Sequence, residues 1–187
     1  MRKAGIALVV SVIALAACGS DDGGGEAKVV ERNGTSSSTS STTTRATRSQ
    51  FRVGDKIETS RGNTIAIYTY EQPAPPPEFF RPDPGMEYAV ADVELCATGD
   101  LSTDAFGNER PPEEQVASVN PFDFELVMPD NSRLQPTIAV REPALNSTDL
   151  AQDECVRGWV SWEVPAGVRP VAVLDKQTGP PNIRWTV

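Results

Sequence analysis

The chain has 187 residues, a formal net charge of −9 and no histidine. An acidic chain lacks the basic face that a phosphate backbone needs, which argues against nucleic acid as a partner. Without histidine there is no Ser-His-Asp triad, no Cys-His pair and none of the usual zinc hydrolase sites.

The chain opens with Arg2 and Lys3, followed by an apolar run over residues 4–17. A charged start and a short apolar segment form a secretory signal, and the run is short for a transmembrane helix. Its end, Leu15-Ala16-Ala17-Cys18 followed by Gly19, resembles the lipobox of bacterial lipoproteins. The resemblance implies that Cys18 carries a diacylglycerol and becomes the mature N-terminus, so the lipid bilayer is a partner. Two acyl chains suffice for stable anchoring. An ordinary secretory signal with a chance cysteine is the other reading. Loss of residues 1–17 removes Arg2 and Lys3 and leaves a net charge of −11.

Residues 18–50 are dominated by Gly, Ser and Thr and offer almost nothing to a core. They read as a disordered tether of roughly 30 Å root-mean-square span. The folded domain is expected over residues 51–187, an ordinary size for one core.

Short apolar stretches then alternate with turn signals, and none keeps a helical period. Residues 51–59 read as one strand, and residues 64–70 as a second, rich in β-branched and aromatic side chains. Residues 87–98 form a longer strand. In residues 122–128, Phe122, Phe124, Leu126 and Met128 point one way and Asp123 and Glu125 the other, predicting a solvated face. Residues 133–137, 155–164, 169–175 and 182–187 complete eight strands. This pattern predicts an all-β, antiparallel sandwich, with barrel closure as the alternative.

Two cysteines remain besides Cys18. Cys96 lies near the end of one predicted strand and Cys155 at the start of another. In an oxidising compartment they are expected to form a disulfide that clamps two central strands.

"PGMEYAVADVELCATGD", "FDFELVMPDNSRL" and "CVRGWVSWEVPAGVRPVAVLD" together resemble an extracellular domain of unknown function. That family is common on lipoproteins of Gram-positive bacteria, especially actinobacteria. The resemblance covers residues 51–187 and implies an immunoglobulin-like fold, similar to telokin and to the secreted mycobacterial immunoprotective antigen. It brings no catalytic residues. Trp159 and Trp162 follow Cys155 on its own strand, unlike the tryptophan of antibody domains.

Residues 71–85 form a proline-rich connection carrying Phe79 and Phe80. Prolines pre-order the chain, and the two rings either anchor a partner or fold back to close one end of the core. Residues 99–115 form an acidic loop with Asp100, Asp104, Asn108 and Glu109, without the spacing of a calcium-binding EF-hand. Glu113 and Glu114 are adjacent and poorly placed to act across a cleft. Of Trp159 and Trp162, three apart on a strand, one belongs to the core and the other is covered by a loop or exposed for contact. No cofactor, metal or catalytic residue is assigned. The expected function is a membrane-anchored, non-catalytic binding or structural module with an envelope protein or wall partner. The alternative is a carboxylate-dependent enzyme acting on cell-wall polysaccharide.

Overall fold

The computed structural model describes residues 28–32, 50–104, 107–177 and 182–187. The strands in chain order are β1 (Lys28–Arg32), β2 (Gln50–Arg52), β3 (Asp55–Glu58), β4 (Thr64–Ala74), β5 (Met86–Cys96), β6 (Ala117–Val119), β7 (Phe124–Val127), β8 (Arg133–Leu134), β9 (Thr148–Leu150), β10 (Cys155–Pro165), β11 (Ala172–Asp175) and β12 (Ile183–Thr186). Sheet I has the order β1-β3-β4-β5-β10 and sheet II the order β2-β12-β11-β7-β8, while β6 and β9 pair as a small ribbon. The fold is therefore the expected β-sandwich. Every pairing in these sheets is antiparallel except that of β2 with β12.

The core lies between the two sheets. Trp162, Val93 and Ile67 of sheet I meet Trp185, Leu126 and Val173 of sheet II, all fully buried. The Trp185 indole N–H donates to the carbonyl of Asp55 at 3.2 Å, which ties the last strand of the chain to sheet I. Phe51 packs beside Trp185 with ring centroids 6.3 Å apart.

Residues 51–59 are not one strand. The chain leaves sheet II after Arg52, turns at Val53-Gly54 and enters sheet I at Asp55. Gly54 has φ of +96°, a conformation that side-chain-bearing residues rarely adopt, and its N–H donates to Ile67 O at 2.7 Å. The Arg52 N–H donates to the Asp55 carboxylate at 3.0 Å and steadies the turn. The single predicted element thus serves both sheets.

Two further expectations change. Lys28–Arg32, inside the stretch read as tether, pairs along the edge of β3, and Val29 packs against the core. Gln50 opens β2. The second change is in residues 122–128. Phe122 sits in a 3-10 turn, Pro121–Asp123, and is 53% exposed. Glu125, expected on a solvated face, is buried. Its carboxylate takes ion pairs from Arg133 and Lys176, each at 3.1 Å, and a hydrogen bond from Gln135. Beside it Val127, Ala172 and Leu174 form a second small apolar cluster.

Cys96 and Cys155 are bonded, and they are direct partners in the β5–β10 ladder with Cα atoms 4.0 Å apart. Leu95 and Ala97 point into the core, so the bridge lies on the outer face of sheet I. In the strand order β5 is interior and β10 is last, a correction to the expected clamp between two central strands.

Reduction of this bridge, or Cys155→Ser, should lower unfolding free energy by about 2–4 kcal/mol, measured by chemical denaturation. Non-reducing peptide mapping of the protein from its native source should recover Cys96 joined to Cys155; free thiols at both positions would contradict the bridge. Burial pushes the Glu125 carboxyl up, but the hydrogen bonds from Lys176, Gln135 and Arg133 outweigh it and hold it below the ordinary value. A depressed carboxyl stabilises the fold above its unfolded pKa, and that contribution disappears as pH falls through the folded one. Glu125→Gln should therefore cost about 1–3 kcal/mol at neutral pH and flatten the loss of Tm on acidification, by thermal denaturation at pH 7 and pH 3.

Candidate functional site

Strand β4 continues to Ala74, further than its sequence pattern suggests, and β5 begins at Met86. The proline-rich connection is therefore residues 75–85. Its base is held by the buried side chain of Gln72. The Gln72 amide donates to Glu87 at 2.6 Å and to Val168 O at 2.8 Å, and its oxygen accepts from the Tyr70 hydroxyl at 2.7 Å. Burial pushes the Tyr70 pKa up, with Glu87 adding to the rise and Arg169 opposing it, so the phenol remains the donor. Backbone bonds from Met86 to Asp83 and from Ala166 to Gly85 close the loop onto the β10–β11 turn.

On this base the two rings point away from the protein. Phe79 is 85% exposed and Phe80 51%. They do not close the core, because Trp162, Trp185 and Phe124 already fill it. Val168, 39% exposed, lies on the turn that holds the base of the same loop. Large apolar side chains on a hydrogen-bonded, proline-stiffened support lose little conformational freedom on binding, which suits a contact surface.

Part of the outer face of sheet I is covered. The Trp162 ring is in the core, whereas Trp159 faces outward and joins a small cluster with Ala74, Tyr88, Val90 and Val140. The Arg141 guanidinium lies 4.3 Å from the centroid of the Trp159 ring and pairs with Glu71 at 2.7 Å. Residues 143–145 run alongside the free edge of β10, where Ala144 bridges Trp159 in parallel; they come this close because residue 158 is glycine, and a Cβ there would stand 2.5 Å from Leu145 N. The Trp159 backbone N–H donates to Pro143 O at 2.8 Å, and the Leu145 backbone N–H donates to Trp159 O at 3.0 Å. Trp159 is thus held under a loop rather than offered for contact. Nearer the disulfide, Arg157 pairs with Asp92 at 2.5 Å and lies 4.2 Å from the Tyr68 ring centroid.

The end of the sandwich opposite Phe79 and Phe80 carries a cleft of about 380 Å³ that sequence reasoning missed. Its apolar lining includes Ile65, Leu101, Val119 and Leu150; its polar lining includes Arg61, Arg110, Asn63, Thr64 and Asp100. Gly99 lets two segments meet there, since a Cβ would stand 1.8 Å from Arg61 O. The Thr64 hydroxyl is buried without a hydrogen-bond partner among the described residues. Asp100 is the one carboxylate among the lining residues, and hydrogen bonds from the Ser102 side chain and N–H hold its pKa down. A carboxyl held ionised is a poor general acid. Because the cleft is assembled from segments between residues 59 and 177, no local motif announces it.

The acidic loop spends its oxygens on itself. Asp104 accepts from the backbone and side-chain N–H groups of Asn108, both at 2.9 Å, and Asp100 accepts from Ser102. Among the described residues no group of three or more carboxylates or cysteines is placed to hold a metal ion. Glu113 and Glu114 sit together on an exposed 3-10 turn. Cys18 lies outside the described residues.

No family model matches the chain, and no curated protein matches it. Two solved structures overlap it. MPT63, a secreted protein from Mycobacterium tuberculosis, superimposes with a TM-score of 0.50 at 11% identity, covering 74% of this chain and 96% of MPT63. That likeness shows a shared fold. YcdA of Bacillus subtilis subsp. subtilis str. 168, named provisionally as a lipoprotein, gives a TM-score of 0.48 at 15% identity over 67% of this chain. The chain spans 36% of YcdA, and an overlap at that score supports no further conclusion.

Gly158→Ala should lift the 143–145 segment from β10. Tryptophan emission should shift to the red as Trp159 meets water, with a stability loss of about 1–3 kcal/mol. An unchanged spectrum and Tm would contradict the packing described.

Proposed function

We propose that the chain is a membrane-anchored cell-envelope lipoprotein whose sandwich is a non-catalytic binding module. In this reading Cys18 is the lipid anchor on the extracytoplasmic face, supported by the leader and by Leu15-Ala16-Ala17-Cys18. The observation that carries the binding role is the pair of exposed rings, Phe79 and Phe80, on a hydrogen-bonded base. Their partner is an envelope protein with an apolar pocket, since stiff proline-aromatic segments suit that form of recognition.

The polysaccharide-cleaving alternative needs two carboxyls facing each other about 5–10 Å apart across a groove. The cleft lining offers Asp100 alone. The lack of histidine further narrows the acid–base chemistry within reach.

Cys18→Ser should release the protein from membranes or block its processing; unchanged fractionation and mass would remove the anchoring claim. Phe79→Ala/Phe80→Ala should weaken capture of the envelope partner by about 100-fold or more, the scale expected when two buried rings are lost. The Tm should stay within about 2 °C of wild type. A double variant that binds normally but melts early would return the rings to the core.

A further inference from the structure

The path of β1 sets how the domain faces the membrane. In sheet I, Lys28 pairs with Glu58, Glu58 with Thr64, Thr64 with Cys96, and Cys96 with Cys155. These residues form one row across the sheet, at the end that carries the cleft. The opposite end has Ala74 beside Tyr88 and Met86 beside Pro165, and from it projects the loop bearing Phe79 and Phe80. The chain from Cys18 therefore enters the domain at the cleft end.

The lengths decide what that entry permits. Cys18 and Lys28 are ten residues apart, a separation of at most about 35 Å. Along β5, Cys96 and Met86 are also ten residues apart, about 33 Å of strand, and the aromatic loop extends beyond Met86. To bring Phe79 to the bilayer, the leash would have to be drawn almost straight along the whole domain. Without the β1 pairing the connection would run to Gln50, 32 residues, whose full extension is about 110 Å. Either end of the domain would then reach the membrane.

We infer that β1 is an orienting clamp: it holds the cleft end toward the bilayer and turns Phe79 and Phe80 away from it. The partner of those rings is then an envelope protein on the wall side, not the lipid surface in which the protein is anchored. This inference rests on the reading of Cys18 as the anchor.

The test imposes the anchor chemically, so it does not depend on lipidation in the cell. With Cys96 and Cys155 bridged, Cys18 is the remaining thiol of the chain that begins at Cys18. It is coupled to a maleimide lipid in vesicles that carry an acceptor dye on a headgroup. A donor is placed through an introduced bio-orthogonal side chain at Ser60, at the cleft end, or at Glu78, at the tip. Energy transfer should be at least twofold greater from Ser60. Replacing residues 28–32 by a Gly-Ser stretch of equal length should bring the two donors together. Equal or greater transfer from Glu78 in the intact chain would overturn the inference, as would a difference that survives loss of β1. Membrane release of Cys18→Ser in cells tests the anchor itself, so the two claims fail separately.

Discussion

The ladder between β5 and β10 is the constraint on which the rest of the protein depends. It runs eleven residue pairs, from Cys155 opposite Cys96 to Pro165 opposite Met86. β4 runs along the other side of β5 for most of the same length. Their inward side chains are small or β-branched over the middle of β5, where Ala89, Ala91 and Val93 leave room for Trp162 and Trp185. Once this frame is in place, its two ends are fixed in space. The disulfide and the cleft occupy one end, and the proline-rich loop occupies the other. Neither end can shift without sliding the register, which would turn each core residue of the strand to the opposite face.

Each sheet also covers part of its outer face. On sheet I residues 143–145 pair along the edge of β10 beside Gly158, and Arg141 lies over the Trp159 ring. On sheet II three donors surround Glu125. Buried charge is tolerated there because every donor is matched to the carboxylate; an unmatched one would cost several kcal/mol. Phe122 and Ile138 are as exposed as Phe80, but Phe79 and Phe80 are adjacent in the chain and share one braced loop.

The sequence is most legible where one residue's neighbours in the chain decide its environment. The alternating runs at 87–98 and 155–164, each with a cysteine near one end, correspond to two of the three 11-residue strands and to their bridge. Legibility fails where distant segments decide. Residues 51–59 place Phe51, Val53 and Ile57 at one parity, yet the turn at Gly54 divides them between two sheets. Glu125 has the spacing of a solvated residue, but its partners arrive from positions 133, 135 and 176. Val29 and its neighbours lie in polar, low-complexity surroundings, and only the open edge of β3 makes a strand of them. Phe79 and Phe80 left two outcomes open because hydrophobicity alone does not say whether room remains in a core. The cleft has no local signature.

The central claim is that the sandwich closes its core without Phe79 and Phe80 and so presents them on a rigid support. The most direct measurement replaces the six phenylalanines with 4-fluorophenylalanine and reads ¹⁹F relaxation in the presence of a soluble paramagnetic chelate. The account predicts strong broadening of the Phe79 and Phe80 resonances in the free protein, with Phe51 and Phe124 protected. Rings at 79 and 80 broadened no more than Phe124 would contradict it.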